Sequence, residues 1–176
     1  MELQYYGANC IKITTKKASL VFDDNLAELG AKTILKPSDI AVVSTFNKTA
    51  AGPAAFVISY PGEYEVGGIS VWGVAARGHM DEQGTNSAVI YKVLVEDIQV
   101  AVVGHIYPDL TNEQLEQIGM VDVLIVPVGG HGYTLDPVGA LKIIKKIEPK
   151  IIIPTHFDDR DLNYPVPQLS LADALK

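Results

Sequence analysis

Val121 to His156, VDVLIVPVGGHGYTLDPVGALKIIKKIEPKIIIPTH, is the stretch whose reading decides the fold. Val121 to Val128 is apolar apart from Asp122, which predicts a strand buried on both faces. Gly129, Gly130 and Gly132 follow as a loop suited to glycine dihedrals. Asp136 stands where it can cap a helix, with Pro137 in the first turn, where a missing N–H costs nothing. Val138, Leu141, Ile144 and Ile147 predict one apolar stripe, and Lys145 and Lys146 suit the helix's last turn. Pro149 ends the helix. Ile151 to Ile153 predict a second buried strand, central in its sheet, that runs out at Pro154-Thr155-His156. The unit is β-α-β, and such units carry their sites at the strand ends.

Outward from this unit, the bulk numbers restrict the function classes. A chain of 176 residues with 48% hydrophobic and 20% charged residues is expected to form one globular domain over residues 1–176. A formal charge of −7 argues against nucleic acid and anionic membranes as partners. Cys10 is the one cysteine, so an internal disulfide is excluded and a reducing, cytoplasmic setting is expected. The apolar runs are too short to span a bilayer, so no membrane partner is expected.

Toward the N-terminus, Leu3–Tyr6, Cys10–Thr14 and Ala18–Phe22 read as an antiparallel meander, followed by Asp23-Asp24. Asn25 to Lys32 predicts a short helix, and Ile40–Ser44 a buried strand. Glu63–Val66 with Ile69–Val74, and Ser87–Val95 with Ile98–Val103, read as two hairpins. Thr111 with Gln114 has the spacing of a capping box, with Leu115 and Ile118 inward. Past about residue 158 the chain is acidic and proline-bearing and reads as an extended tail. Cys10 lies in a strand pattern and reads as a small core residue. No Gly-x-Ser-x-Gly elbow occurs, and Glu63 and Glu65 read as exposed hairpin carboxylates.

The runs VPVGG, YTLD, IEPKIIIPTH and PGEYEVGGISVWG (61–73) resemble the metallo-β-lactamase-fold hydrolases. They are most similar to the branch that resembles ascorbate-6-phosphate lactonase and zinc-dependent hydrolases. The resemblance runs from about Leu3 to His156. It implies an α/β fold of four layers, an αββα sandwich. It also implies metal positions at His79, His105 and His156, with Asp23 orienting the ligands from behind. An exposed loop histidine is the plain alternative for His79, and a strand-end turn residue for Asp23.

Where the family carries His-x-His-x-Asp-His after a strand, this chain has Thr45, Asn47, Thr49 and Ala50 at the four ligand places. None is a good zinc ligand, and Lys48 brings positive charge where cations would sit. Where the family has Gly-Asp, this chain has Gly104-His105, and an imidazole cannot bridge two metals as a carboxylate does. A dinuclear centre is therefore not expected. Three imidazoles could hold at most one zinc or other divalent metal. The loop Gly129, Gly130, His131, Gly132 before a helix is a weaker candidate for anion binding, and a simple strand-to-helix turn is its plain alternative. Two function classes follow. One is a metal-dependent hydrolase of the lactone or phosphoester class, with a reduced site. The other is a non-catalytic module that keeps the fold to bind a small molecule or to assemble.

Overall fold

The structure, a computed structural model, describes residues 1–46 and 48–176. Its frame is two facing β-sheets with the same plan. In the first sheet, β1 (Glu2–Gly7), β2 (Cys10–Thr14) and β3 (Ser19–Phe22) form the expected meander. β4 (Ile40–Val42) and β5 (Phe56–Ile58) then add in parallel, giving the order β1-β2-β3-β4-β5. In the second sheet, β6 (Gly62–Val66), β7 (Ile69–Ala76), β8 (Ala88–Val95) and β9 (Ile98–Val102) form an antiparallel meander. β10 (Val123–Pro127) and β11 (Ile151–Thr155) extend it in parallel. Each sheet is thus a meander leading into a parallel edge, a likeness between halves that the letters do not display.

The sheets face one another across a core that includes Ile11, Ile13, Phe22, Ile58, Val71 and Tyr91. The outer face of the second sheet is covered by α1 (Asn112–Ile118) and α2 (Pro137–Ile147). The outer layer on the first sheet is slighter. Where the sequence predicts a helix over 25–32 there is one 3-10 turn, Leu26–Leu29, closed by Gly30, and it packs with Leu35 and Leu162 over Cys10 and Val21. The αββα order holds, with one outer layer nearly all coil. Among the described residues, no helix is long and apolar enough to cross a membrane.

Local signals explain the element ends. Thr111 accepts from the Gln114 amide, and the Gln114 side chain accepts from the Thr111 amide, so α1 carries the full capping box. Asp136 caps α2 through the Gly139 amide, 2.6 Å away. Two expectations fail. The buried face of α2 is Gly139, Ala140, Ile143 and Ile147, while Val138 and Leu141 are 65% and 47% exposed. The helix lies close enough that a Cβ on Gly139 would stand 3.1 Å from Pro108 and 3.2 Å from Leu135. Small residues therefore face inward, and two larger ones remain outside. β11 is not central either. It is the last strand of its sheet, with Ile151 and Ile152 56% and 44% exposed, because among the described residues no strand pairs beyond it.

The segment past residue 158 folds back over the strand ends. Leu162 is buried, the Asn163 amide donates to Leu29, and the Leu169 amide donates to Gly129. Its last turn is α3 (Leu171–Ala174), capped by Ser170.

Candidate functional site

Asp23, Ser44, His105 and His156 follow β3, β4, β9 and β11, which make the parallel pairings of the two sheets, and His79 follows β7 in the antiparallel meander of the second. At the end of the first sheet, Ser44 donates its amide to Asp23 Oδ1 (2.8 Å) and its hydroxyl to Oδ2 (2.6 Å). Both carboxylate oxygens are thereby engaged within the sheet. Burial raises the Asp23 carboxyl above the usual range, opposed by the Ser44 hydrogen bonds and by the Lys48 charge. Asp23 has φ +43°, a left-handed conformation uncommon outside glycine.

At the end of the second sheet the imidazoles gather. The His105 and His156 rings meet edge to face with centroids 4.8 Å apart. Tyr133 and Tyr164 lie against them, with Tyr133 5.3 Å from His105 and Tyr164 5.2 Å from His156. The His79 amide donates to the His105 carbonyl at 2.8 Å, which ties the third histidine's backbone to the same place. His156 is fully buried at φ +53°, and its amide donates to Ala8 on the opposite sheet.

The protonation pattern of the pair follows from its partners. Gln168 donates through Nε2 to the carbonyls of Val166 and Pro167, so its Oε1 is the atom that faces His156 Nδ1 at 3.1 Å. An acceptor there places the ring hydrogen on Nδ1 and leaves Nε2 as a lone pair. The Tyr133 carbonyl does the same for His105, 3.2 Å from Nδ1. His156 Nε2 and His79 Nδ1 are buried without a hydrogen-bond partner among the described residues. Burial depresses the titrations of His105 and His156, and for His105 the neighbouring His156 adds to it, bringing it down to about 3. Both rings are neutral at ordinary pH.

This arrangement tests the fit of the family's metals. A ring held by a carbonyl on one nitrogen and unpartnered on the other is how metal-binding histidines are usually prepared. In donor chemistry, three neutral imidazoles suit one zinc. In position they do not: among the described residues, no three His, Cys, Asp or Glu side chains stand where they could hold a metal ion. No carboxylate joins them, because Asp23 is turned to Ser44. At the first-motif places, Thr45 makes an isolated bridge to Ala88 and Thr49 is exposed. Asn47 lies outside the described residues. The residues do not fit two metals.

Beside the first sheet's strand ends a cavity of about 310 Å3 opens, lined by Asn9, Asp23, Asp24, Asn25, Lys48 and His105 among others. His131 lies apart from it, exposed at φ +54°. In its loop the Gly130 amide is committed to the Leu135 carbonyl, and Gly129 is crowded by the His156 carbonyl and Gln168. Sequence reasoning missed Gln168, Tyr133, Asn9 and Ser44. Asn9 stands in a recognisable turn, but nothing near Gln168 in sequence marks it as a partner of His156.

A β-lactamase superfamily domain model matches residues 2–156. The chain belongs to the β-lactamase superfamily. Its curated relatives include a UPF0173 metal-dependent hydrolase of Thermoplasma acidophilum, 42% identical over 53 residues, covering 28% of this chain and 23% of the relative. Another, from Carboxydothermus hydrogenoformans, is 43% identical over 44 residues, covering 25% of this chain and 19% of the relative. These matches therefore span less than a quarter of either relative. Among solved structures, one assigned to the Zn-dependent hydrolases of the metallo-β-lactamase superfamily, from Thermotoga maritima, superposes with a TM-score of 0.71 at 26% identity. That superposition covers 98% of this chain and 83% of the other. An isothiocyanate hydrolase from Delia radicum gut bacteria superposes with a TM-score of 0.67 at 13% identity, covering 99% and 90%, a likeness of fold alone. The metallo-β-lactamase fold is thus established for this superfamily member, and its relatives are metal-dependent hydrolases.

Proposed function

We propose that this chain is a metallo-β-lactamase-fold protein with an incomplete metal site, and that its strand-end cleft binds a small polar molecule without a dinuclear centre. The observation that carries this reading is the cavity of about 310 Å3 whose wall holds Asp23, Lys48 and His105 where no metal-binding group of three forms among the described residues. Thr45, Thr49 and Ala50 supply no imidazole or carboxylate, and His105 replaces a bridging carboxylate.

A second reading is favoured by the unpartnered His79 Nδ1 and His156 Nε2 and by the Nδ1–H forms of His105 and His156. In it His79, His105 and His156, which do not stand placed to share an ion as the fold holds them, would have to draw together around one divalent ion, zinc by its preference for imidazole, for the chain to hydrolyse a lactone or phosphoester. A bound ion of that kind would supply an acidified water and polarise the substrate carbonyl or phosphoryl. This chain's own residues would set the ring tautomers, through Gln168 and Tyr133, and Asp23 would stay with Ser44.

Elemental analysis of protein purified without a histidine tag, after growth with added zinc and manganese, separates the readings. The first expects no stoichiometric metal. One ion per chain, lost in His156→Ala, selects the second. Two tightly held ions per chain would overturn both.

A further inference from the structure

β11 is the open edge of the second sheet, and its bonding pattern limits what can close it. The Ile151 amide donates to the Asp122 carbonyl, and the Thr155 carbonyl accepts from the Val128 amide. Alternate residues of a parallel strand turn their backbone groups to the neighbour, so Ile151, Ile153 and Thr155 turn to β10. Lys150, Ile152 and Pro154 turn theirs outward, and among the described residues no strand takes them up. Natural proteins ordinarily shield such an edge with charge, a bulge or a covering element. Here Pro154 removes one donor, while Ile151 and Ile152 stay exposed.

This row is complementary to itself. Two copies run antiparallel, with Ile152 opposite Ile152, exchange a pair of bonds between their Ile152 amides and carbonyls. Each Lys150 amide then meets the Pro154 carbonyl of the second copy. The proline nitrogen, which has no hydrogen to give, falls opposite the Lys150 carbonyl, which is left to water. The side chains agree with this register. Ile151 and Ile153 stand beside Val123 and Ile125 on the inner face, and Ile152 stands beside Leu124 on the outer one. Pairing therefore sets each Ile151 against Ile153 of the second copy inside, and Ile152 against its own image outside.

The charges choose the same partner in the same orientation. α2 runs back along the sheet, so its C-terminal half, with Lys142 and Lys145 exposed, lies toward the start of β11. Asp158 and Asp161, also exposed, follow the end of β11. Among the described residues none of these four makes an ion pair. An antiparallel copy brings the lysine end of each chain to the aspartate end of the other. A parallel copy would set like charge on like.

We propose that β11 is a self-recognition edge, through which two copies of this chain join by antiparallel pairing about Ile152 and merge their second sheets. The inference is independent of what the cleft binds. So short a strand pair falls below the roughly 1,600 Å2 of a standard interface, so the copies part on dilution and unfolding in dilute solution reads the single chain.

Sedimentation of the full chain between about 5 µM and about 1 mM should show monomer at the low end and dimer at the high end. Ile152→Lys sets two ammonium groups together on the axis and should raise the dimer Kd roughly tenfold or more, with the circular dichroism of the monomer unchanged. Two cysteine variants test the register under mild oxidation, since Cys10 is buried. Ile152→Cys should cross-link to its image, because directly paired residues lie about 5.5 Å apart between Cα atoms, within disulfide reach. Ile151→Cys should not, because it and its image are staggered by two residues. If Ile152→Lys does not fold, the cysteine variants decide. A dimer that persists unchanged in Ile152→Lys, or cross-linking at Ile151→Cys in preference to Ile152→Cys, overturns the proposal. A chain that stays monomeric throughout also overturns it and leaves the edge to a strand from a different protein.

Discussion

The two sheets end differently. At the first, Asp23 and Ser44 satisfy one another, and the places for metal ligands hold Thr45, Thr49 and Ala50, with Lys48 beside them. At the second, His105 and His156 touch, each with its Nδ1 hydrogen committed to an oxygen behind it, and His156 leaves its other nitrogen open. The first end is a closed polar turn beside a cavity. The second is still set up as imidazoles with lone pairs to offer. Departure from the pattern of the resembling family is thus heaviest in one loop of the first sheet, with the single change to His105 at the second. The supporting partners of the histidines, Gln168 and Tyr133, come from segments far from that loop, so losing the loop's ligands costs them nothing.

The sharpest way to break this contrast is to disturb the second end mechanically. A Cβ on Gly129 would clash with the His156 carbonyl and with Gln168 Oε1. A backbone oxygen cannot swing aside, so Gly129→Ala should destabilise by about 3 kcal/mol. It should also shift the His156 ring resonances. A loss under about 1 kcal/mol in urea unfolding would mean that this end is not tightly built. Within the same sheet, Leu124→Ala in β10 removes a fully buried side chain and should cost about 2–5 kcal/mol. Ile152→Ala, on the exposed edge strand, should cost less than about 1 kcal/mol. Similar losses at the two positions would place an unseen partner against β11.

The two ends should also answer pH with opposite signs. His105, and His156 with it, titrate lower in the folded protein than the ordinary 6.5, His105 at about 3. The unfolded chain therefore takes up protons first. Stability from the second end is full above about pH 6.5 and is lost as pH falls from there toward about 3. Asp23 titrates above its ordinary 3.8, so its contribution is present at low pH and is lost as pH rises through its elevated value. Melting midpoints at pH 7 and pH 4 should draw together in His105→Gln and move apart in Asp23→Asn, each relative to wild type. The reverse pattern would show that the ends are not distinguished by burial of neutral imidazole and buried carboxyl. The smallest effect concerns Lys48. Its ion pair with Glu28 is largely exposed, so Lys48→Ala should change stability by no more than about 1 kcal/mol. Because its charge lowers the Asp23 titration, the Asp23 carboxyl resonance should titrate higher in the variant, and no movement would place Lys48 out of reach.

Much of this was legible in the letters, because it depends on neighbours along the chain. The capping box at Thr111 and Gln114, the Asp136-Pro137 helix start, the meanders and hairpins, the β-α-β unit and the absence of ligands at Thr45, Thr49 and Ala50 are all local patterns. Helix caps close hydrogen bonds within four residues, and strand alternation repeats every two. The superfamily was legible for the same reason, since its motifs are short runs at strand ends.

What only the tertiary structure decided is what depends on the neighbour across space. Three consecutive isoleucines read the same whether a strand lies on one side of them or two, so the edge position of β11 could not be read from Ile151 to Ile153. The stripe on α2 was misread because closeness to the sheet favours Gly139 and Ala140, and apolar size alone does not rank them. The pairing of His156 with Gln168 and the crowding at Gly129 each bring together groups from separate segments. Hydrogen-bond satisfaction is a sum over everything within about 3 Å, and chain order says nothing about which groups will be there.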